Sequence, residues 1–258
     1  VTRFMPNLDL RNSFTNNING YFYESKILTS VYYGANGGYT RTSDPIVQSI
    51  LVSPSGTYTY QYVNMDGYAN NNYYLNTYYS RKIKGIDLQT GASLNLNGGT
   101  TYSPINNEVN KLNYNTYSVA IETFKNKIKQ YSVYMVAQGG YTVNKSSLQP
   151  DVQNNYFFYT LNPSVDIYFL KKFQLHTDAN YLWQQKTQAF NDNFSRMIWN
   201  GWVGRNFLKN DQLTIKISCN DILNENNGYA RTATNTFFSE NRYTTIRRFF
   251  MIGATWSF

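Results

Sequence analysis

Residues 86–97 read IDLQTGASLNLN, and this segment decides the fold. Every even-numbered position in it is apolar or threonine, whereas every odd-numbered position is polar or glycine. Successive side chains of a β-strand point to opposite sides, so the segment is predicted to be a strand with one apolar and one polar side. The same period of two recurs in residues 173–184, 212–220 and 250–258, and helical spacing is nearly absent from the chain.

Working outward from these segments, the alternation predicts about eleven strands. They lie at 11–23, 27–52, 57–81, 86–97, 111–125, 129–143, 156–170, 173–187, 195–208, 212–222 and 244–258. Several are ten residues or longer, which exceeds the usual length in globular sheets. The long predicted pair 27–52 and 57–81 is expected to be interrupted near Asp44-Pro45, because proline cannot donate a ladder hydrogen bond.

The predicted connections tend to alternate between short and long. The short connections are Glu24-Ser25-Lys26, 82–85, Lys125-Asn126-Lys127, Lys171-Lys172 and Lys209-Asn210-Asp211. The long, polar connections are 98–110, 144–155 and 224–242, and 53–56 and 188–193 are shorter members of that set. Outer-membrane β-barrels have short periplasmic turns and long extracellular loops, whereas nothing in a soluble sandwich requires this alternation.

Composition excludes several other classes of protein. The chain has 258 residues, of which 17% are aromatic and 15% charged, so it is too aromatic for an intrinsically disordered chain. Its single cysteine, Cys219, excludes a disulfide framework, and with a single histidine, His176, a structural zinc site is excluded too. No run approaches eighteen apolar residues, as a membrane-spanning helix would need. The net charge of +8 is scattered along the chain, so nucleic-acid binding is not expected.

Aromatic residues cluster at both ends of the predicted strands. Beside the short connections lie Tyr21-Phe22-Tyr23, Tyr78-Tyr79, Tyr168-Phe169, Phe207 and Phe258. Toward the long connections lie Tyr39, Tyr58, Tyr73-Tyr74, Tyr141, 156–159 and Tyr243.

Tyrosine and tryptophan favour the headgroup level of a bilayer, so these clusters are predicted to form the two girdles of a membrane barrel. The alternative is a soluble β-protein with an aromatic core, which explains the strand length less well and needs a covering layer for each apolar side.

Three segments resemble a known family. Residues 247–258, RRFFMIGATWSF, resemble the C-terminal assembly signal of Gram-negative outer-membrane barrels, with Phe250, Ile252, Trp256 and Phe258 as its alternating apolar positions. Residues 219–226, CNDILNEN, resemble a segment in the penultimate strand of TonB-dependent receptors. Residues 39–46, YTRTSDPI, followed by Gly56 and by 62–67, YVNMDG, are similar to the Bacteroidota branch of these receptor-like barrels.

The resemblance implies an all-β fold: an antiparallel transmembrane β-barrel in a Gram-negative outer membrane. Such receptors have about twenty-two strands, an N-terminal plug and a TonB box, and neither the plug nor the box is visible in residues 1–258. Because bacterial barrels have an even number of strands, the eleven predicted ones are interpreted as the C-terminal half of a larger barrel. The start at Val1, with neither methionine nor a leader, suggests a cleaved signal peptide or a piece of a longer protein. A complete twelve-stranded barrel stays open if residues 1–10 add a strand.

Six polar residues are predicted to line the lumen of such a barrel. They are Asp166, His176, Asp178, Asn180, Arg196 and Lys216. His176 and Asp178 share the polar side of one strand, and Ser164 and Asp166 share that of the preceding one, so a Ser–His–carboxylate enzyme is a conceivable alternative. No nucleophile motif surrounds Ser164, and polar residues line every barrel lumen by default.

The remaining chemical candidates are weaker. Asp166, Asp178 and Glu122 could form an acid–base pair or a calcium site, but lumen carboxylates balanced by basic residues are the favoured interpretation. Cys219 falls on the predicted lipid side and is interpreted as a small apolar residue. Gly98-Gly99 and Gly139-Gly140 are predicted to be kinks at strand ends rather than phosphate-binding loops.

The favoured function is therefore TonB-dependent nutrient uptake, without catalysis and without a cofactor. The resemblance implies the lipid bilayer, the barrel-assembly machinery and TonB, acting through a plug outside this chain, as partners. A surface lipoprotein or other chains could complete the assembly, and the loops at 98–110, 144–155 and 224–242 could capture the ligand. The alternative is a structural or partner-binding outer-membrane barrel without transport. The sequence does not distinguish siderophore, vitamin, glycan and peptide ligands.

Overall fold

The computed structural model describes residues 2–152, 154–233 and 238–257, and these residues are all-β. Their strands are β1 Thr2–Met5, β2 Phe14–Lys26, β3 Val31–Ser43, β4 Ile46–Val52, β5 Tyr58–Asn64, β6 Ala69–Ile83, β7 Leu88–Ile105, β8 Glu108–Lys127, β9 Tyr131–Ser146, β10 Tyr156–Phe169, β11 Phe173–Gln184, β12 Phe194–Phe207, β13 Leu213–Asn220, β14 Tyr229–Ala233, β15 Phe238–Arg242 and β16 Phe249–Trp256. Two single-turn 3₁₀ segments, Ile27–Thr29 and Lys209–Asp211, occupy connections. No helix in the described parts of the chain is long and apolar enough to cross a membrane.

Eleven of these strands form one antiparallel series in chain order. The series runs β2, β3, β6, β7, β8, β9, β10, β11, β12, β13 and β16, each paired with its neighbours. The order of the eleven predicted strands is thereby confirmed, whereas the predicted 27–52 and 57–81 each contain two strands and the predicted 86–97 is too short at its C-terminal end. β8 reaches twenty residues, and its backbone pairing continues without a break along both neighbouring strands, β7 and β9.

The predicted interruption at Asp44-Pro45 is also confirmed. It separates β3 from β4, and the two-stranded unit β4–β5 extends beyond the main series before the chain returns in β6. Asp44 has a positive φ of 47°, and its carboxylate accepts a hydrogen bond from the backbone N–H of Gly67 at 2.8 Å. The short β1 pairs in parallel with β5, on the other side of this unit.

The strands at the two ends of the series, β2 and β16, are not paired with each other within the described ranges. The observed architecture is therefore one large, predominantly antiparallel sheet. Among the described residues each end strand has one partner, β3 for β2 and β13 for β16.

The predicted long loop at 98–110 is wrong. β7 and β8 continue through this region to a two-residue turn, Asn106-Asn107, in which both residues have positive φ. Gly98 and Gly99 therefore lie inside β7 and not at its end. A Cβ atom on Gly99 would stand 2.2 Å from the backbone oxygen of Asn71, so glycine is required there by the close approach of β6 and not by a kink.

The other connections follow the prediction with shifts. The turns at 170–172 and 209–211 lie where they were expected, whereas the short connections predicted at Glu24-Ser25-Lys26 and Lys125-Asn126-Lys127 belong to strands. Gly139-Gly140 likewise lies within β9, where the ring of Phe158 covers Gly140. The long connection 224–242 carries its own hairpin, β14–β15.

Cross-strand register divides the series into two faces. We call the side of Leu94 the apolar face and the side of Asn95 the polar face. The apolar face carries, strand by strand, Ile18, Ala35, Leu75, Leu94, Val119, Ala137, Val165, Leu175, Val203, Ile217 and Ile252. Many of these side chains are open to the surroundings, with Leu94 53% and Ile252 79% exposed.

A conventional hydrophobic core is small in the described residues. The buried apolar side chains are Ile50, Met65, Leu112, Ala179 and Phe190. Most of the apolar surface of the chain is thus turned outward on one face of the sheet, and it is not covered by a second layer of described residues. Stable water-soluble sheets bury such a face against another element.

Candidate functional site on the polar face

All six predicted lumen residues lie on the polar face. Asp166 belongs to β10, whereas His176, Asp178 and Asn180 occupy alternate positions of β11. The register places Asp166 directly opposite His176. Arg196 on β12 and Lys216 on β13 lie on the same face, which follows from the pairing of Leu182 with Arg196 and of Gly204 with Lys216.

His176 is the centre of a cluster of polar side chains. Its Nδ1 lies 2.7 Å from Oδ1 of Asp166, and its Nε2 lies 3.2 Å from Oδ1 of Asp178. Carboxylates only accept hydrogen bonds, so both contacts are hydrogen bonds when both ring nitrogens carry a proton. The imidazole side chain is 23% exposed, which keeps the cluster at the surface of the sheet.

Two neighbouring strands complete this cluster. Asn200 of β12 donates an amide hydrogen bond to Oδ2 of Asp178 at 2.9 Å. The ring of Trp202 stacks on His176 with centroids 5.6 Å apart, and the ammonium of Lys216 lies 4.2 Å from the centroid of the same indole. The indole of Trp202 therefore lies between the imidazole of His176 and the ammonium of Lys216, and the two carboxylates lie beside the imidazole. We call these six residues, Asp166, His176, Asp178, Asn200, Trp202 and Lys216, the histidine cluster.

The remaining predicted lumen residues lie outside the histidine cluster. The amide of Asn180 donates to Oδ1 of Asn162 on β10. The Nε atom of Arg196 is buried and has no hydrogen-bond partner among the described residues. Glu122 is on β8, separated from β10 by β9, so it does not join Asp166 and Asp178. No group of His, Cys, Asp or Glu within the described ranges has the arrangement of a metal site.

The geometry at His176 differs from that of a serine hydrolase. In a Ser–His–carboxylate relay one ring nitrogen faces the serine and the other faces the carboxylate. In this protein both ring nitrogens face carboxylates, and Ser164 is paired across the strands with Asp178. The arrangement suits the binding and balancing of charge better than the activation of a nucleophile.

Sequence reasoning missed Asp221, which organises the connection after β13. This side chain is only 3% exposed, and its two carboxylate oxygens accept the backbone N–H groups of Glu225 and Asn226 at 2.9 and 3.0 Å. Its own N–H donates to the side chain of Asn200, which links the connection to the histidine cluster. The sequence signal is only that Asp and Asn favour turns: the two acceptor contacts span four and five residues, longer than the two-residue spacing of a simple Asx-turn.

The connection 224–242 contributes a second polar surface. A groove of about 540 Å³ lies between this connection and the one before β12. Among the residues that line it are Asp192, Phe194, Asn227, Tyr229, Glu240 and Arg242. The rings of Phe194 and Tyr229 are in contact, with centroids 4.7 Å apart. Aromatic rings beside amide and charged groups can bind a polar ligand.

The signal-like C-terminal residues and the cysteine lie on the apolar face. Phe250, Ile252 and Trp256 occupy alternate positions of β16 on this face, and Phe258 lies outside the described residues. Cys219 is opposite Phe250 and is half-buried, as expected for a small apolar residue.

Only some of the predicted girdle aromatics lie on the apolar face. Of each adjacent pair, such as Tyr78 and Tyr79, one member must point to the polar face because side chains alternate along a strand. The apolar face retains Tyr39, Tyr73, Tyr141, Phe157 and Tyr159 toward the long connections. Toward the short connections it retains Phe22, Tyr79, Phe169 and Phe207. Tyr131, Phe173 and Trp256, which were not among the predicted girdle residues, lie at the same end of this face. Searches with this sequence and structure find no matching protein-family model, curated protein or solved structure.

Proposed function

We propose that this chain forms part of an outer-membrane β-barrel that acts as a receptor and transporter in TonB-dependent nutrient uptake. The apolar face would contact lipid, and the polar face would line the lumen. The observation that carries this proposal is the uncovered apolar face, which continues over all eleven strands of the series. A bilayer supplies the apolar environment that this face requires.

The height of the apolar face supports a bilayer. On β10, Tyr159 and Phe169 mark its two aromatic ends, ten positions apart. At about 3.3 Å per residue this is roughly 33 Å along the strand, or about 25 Å across a membrane for a tilt of about 40°. That distance matches the apolar band of outer-membrane barrels.

The two end strands support closure with further strands. In hydrocarbon each unpaired backbone group costs several kcal/mol, so lipid-exposed sheet edges do not persist. β2 and β16 each have one partner among the described residues. We therefore propose that other strands of the parent protein, or a second chain, pair with both edges. This agrees with the resemblance to barrels of about twenty-two strands.

Transport is favoured over simple anchoring by the polar face. The histidine cluster joins two carboxylates, an imidazole, an indole and an ammonium in one continuous chain of contacts. A lumen that carries such groups can bind a polar solute along its route. Energy from TonB would reach it through a plug supplied by the rest of the parent protein.

The intact mass of the parent protein in native outer membranes tests this proposal. Gel mobility is compared with and without heating, because folded barrels migrate anomalously until they are heated. A heat-modifiable polypeptide of about three times the 30.0 kDa of this chain is expected for a barrel with a plug. A heat-modifiable band near 30 kDa would favour the structural or partner-binding alternative. A protein released by aqueous buffer would overturn the membrane assignment.

A further inference from the structure

A groove on the apolar face reaches the end of the sheet that carries the short connections. Its volume is about 950 Å³, and it lies over β3, β6, β7 and β8. The apolar part of its lining includes Val31, Tyr79, Ile83, Ala92 and Ile121. Arg81, Lys82 and Lys84 form a basic rim at the end near the turn between β6 and β7.

The groove crosses the boundary between the apolar band and the basic turns. Ile121 is 51% exposed and lies within the band of aliphatic residues on β8. Tyr79 belongs to the aromatic end of that band, and Arg81 follows two positions later, about 7 Å closer to the turn. One bound molecule that followed the groove would therefore contact hydrocarbon at one end and cations at the other.

The basic groups of the rim are not equivalent. Lys82 forms an ion pair with Asp87 at 2.5 Å, and its hydrogen bond lowers the pKa of that carboxyl group in the turn. Arg81 and Lys84, by contrast, form no ion pair within the described ranges of the chain. A guanidinium and an ammonium without carboxylate partners favour an anionic ligand, and guanidinium binds phosphate oxygens in a bidentate manner.

The surrounding surface strengthens the same preference. Other lysines at this end of the sheet include Lys125, Lys127, Lys129 and Lys171. The acidic residues Glu24, Asp87 and Asp211 at this end are each bridged by one lysine. The end near the short connections is therefore positively charged overall, and it attracts anionic headgroups.

We propose that this groove is a binding site for an anionic phospholipid. An acyl chain would lie against Ala92 and Ile121, and the phosphodiester would bind Arg81 and Lys84. This inference rests on the proposed membrane location, since the groove opens on the face assigned to lipid. It adds a specific ligand site to a surface that would otherwise be a non-selective contact with the bilayer.

Native mass spectrometry of the full-length protein tests the site directly. The detergent-purified, delipidated protein is titrated with phosphatidylglycerol, with phosphatidylcholine and with glycerol 3-phosphate as the headgroup alone. Phosphatidylglycerol is expected to bind at least about tenfold more tightly in the wild type than in the double variant Arg81→Gln/Lys84→Gln. The matched control Lys129→Gln/Lys171→Gln removes two charges from the same end and is expected to bind as the wild type does.

A second variant tests the apolar part of the groove. Ala92→Trp fills it and keeps both cations, so it is expected to weaken phosphatidylglycerol binding while heat-modifiable mobility is retained. The proposal is overturned if R81Q/K84Q binds like the control pair, if phosphatidylcholine binds equally well, or if glycerol 3-phosphate competes as strongly as the lipid. Heat-modifiable mobility in outer membranes without selective binding would refute only this site. Its absence would refute the proposed function as well.

Discussion

At the scale of single residues, His176 contacts two carboxylates, one on its own strand β11 and one on the neighbouring β10. Its two ring nitrogens contact the carboxylates of Asp166 and Asp178, and hydrogen bonds from the ring reduce the repulsion between these two groups. The sequence predicted that these residues share a side of the sheet. It did not predict the contribution of Trp202 and Asn200, because cross-strand neighbours depend on the register, which the turn lengths set.

Replacement of His176 is expected to destabilise the folded protein. His176→Ala removes the group that contacts both carboxylates, at a cost of about 1–2 kcal/mol for this partly exposed site. Urea unfolding of the full-length protein in lipid vesicles measures the change. Gln174→Ala, on the same strand and face, is the control and is expected to be near neutral. Equal stability of H176A and Q174A would contradict a bridging role for His176.

Asp221 gives a second expectation at this scale. Asp221→Ala leaves the N–H groups of Glu225 and Asn226 without acceptors in a buried position, and it should cost about 2 kcal/mol. Asp221→Asn retains a carbonyl oxygen and should cost less. The exposed Asp151→Ala serves as the control in the same unfolding experiment. The capping role is wrong if D221A unfolds at the same urea concentration as D151A.

At the scale of elements, the period-two alternation predicted most of the strands. One connection, the loop at 98–110, was predicted in the wrong place. The predicted loop 98–110 began at Gly98-Gly99, which were interpreted as a kink at a strand end, yet β7 and β8 continue past both residues. The reason is tertiary: a Cβ atom on Gly99 would collide with the backbone of β6, and one on Gly98 would collide with the backbone of Tyr114 and the side chain of Asn115. Propensity alone cannot reveal such an approach, because it depends on the neighbouring strands.

The two residues of the turn that replaces the predicted loop, Asn106 and Asn107, have different roles. Asn106 accepts a hydrogen bond from the N–H of Val52 and donates its own N–H to the carbonyl of Ile50, so it also attaches β4 to the tip of β7–β8. Asn107 supplies only a positive φ of 68°. A two-residue turn of this type favours Asn-Gly.

Substitutions of Asn106 and Asn107 by glycine are expected to change the stability of the folded protein in opposite directions. Asn107→Gly should leave stability unchanged or raise it by up to about 1 kcal/mol, because glycine adopts positive φ freely. Asn106→Gly removes the side-chain bond to Val52 and should lower stability by about 1 kcal/mol. Hydrogen exchange of the Val52 amide provides the readout. Unchanged protection in N106G would show that the side-chain contact does not hold β4.

At the scale of the whole molecule, the apolar face is proposed to contact lipid and the polar face to line the lumen. Leu94 and Asn95 are adjacent on β7 and point to opposite faces. Within a bilayer an arginine on the lipid side costs about 2–4 kcal/mol near the midplane, whereas a lumen position tolerates it. If the apolar face were open to water instead, Leu94 would accept arginine at little cost.

This contrast gives a paired expectation. Leu94→Arg should lower the unfolding free energy of the full-length protein in vesicles by about 2–4 kcal/mol, and Asn95→Arg by less than about 1 kcal/mol. The yield of the heat-modifiable form should follow the same order. If the two variants are equally stable, the apolar face does not contact lipid and the barrel assignment fails.

The strictly sequential order of the series has a consequence for how such a protein can change size. Deleting residues 131–172 would remove β9 and β10 and join β8 to β11 through the existing turn at 128–130. Phe173 would then replace Tyr131 opposite Lys127, and all three side chains belong to the apolar face. Both direction and facing are conserved whenever two strands are lost or gained together. The natural unit of insertion, duplication or deletion in this chain is therefore the hairpin, whereas loss of one strand would invert everything downstream.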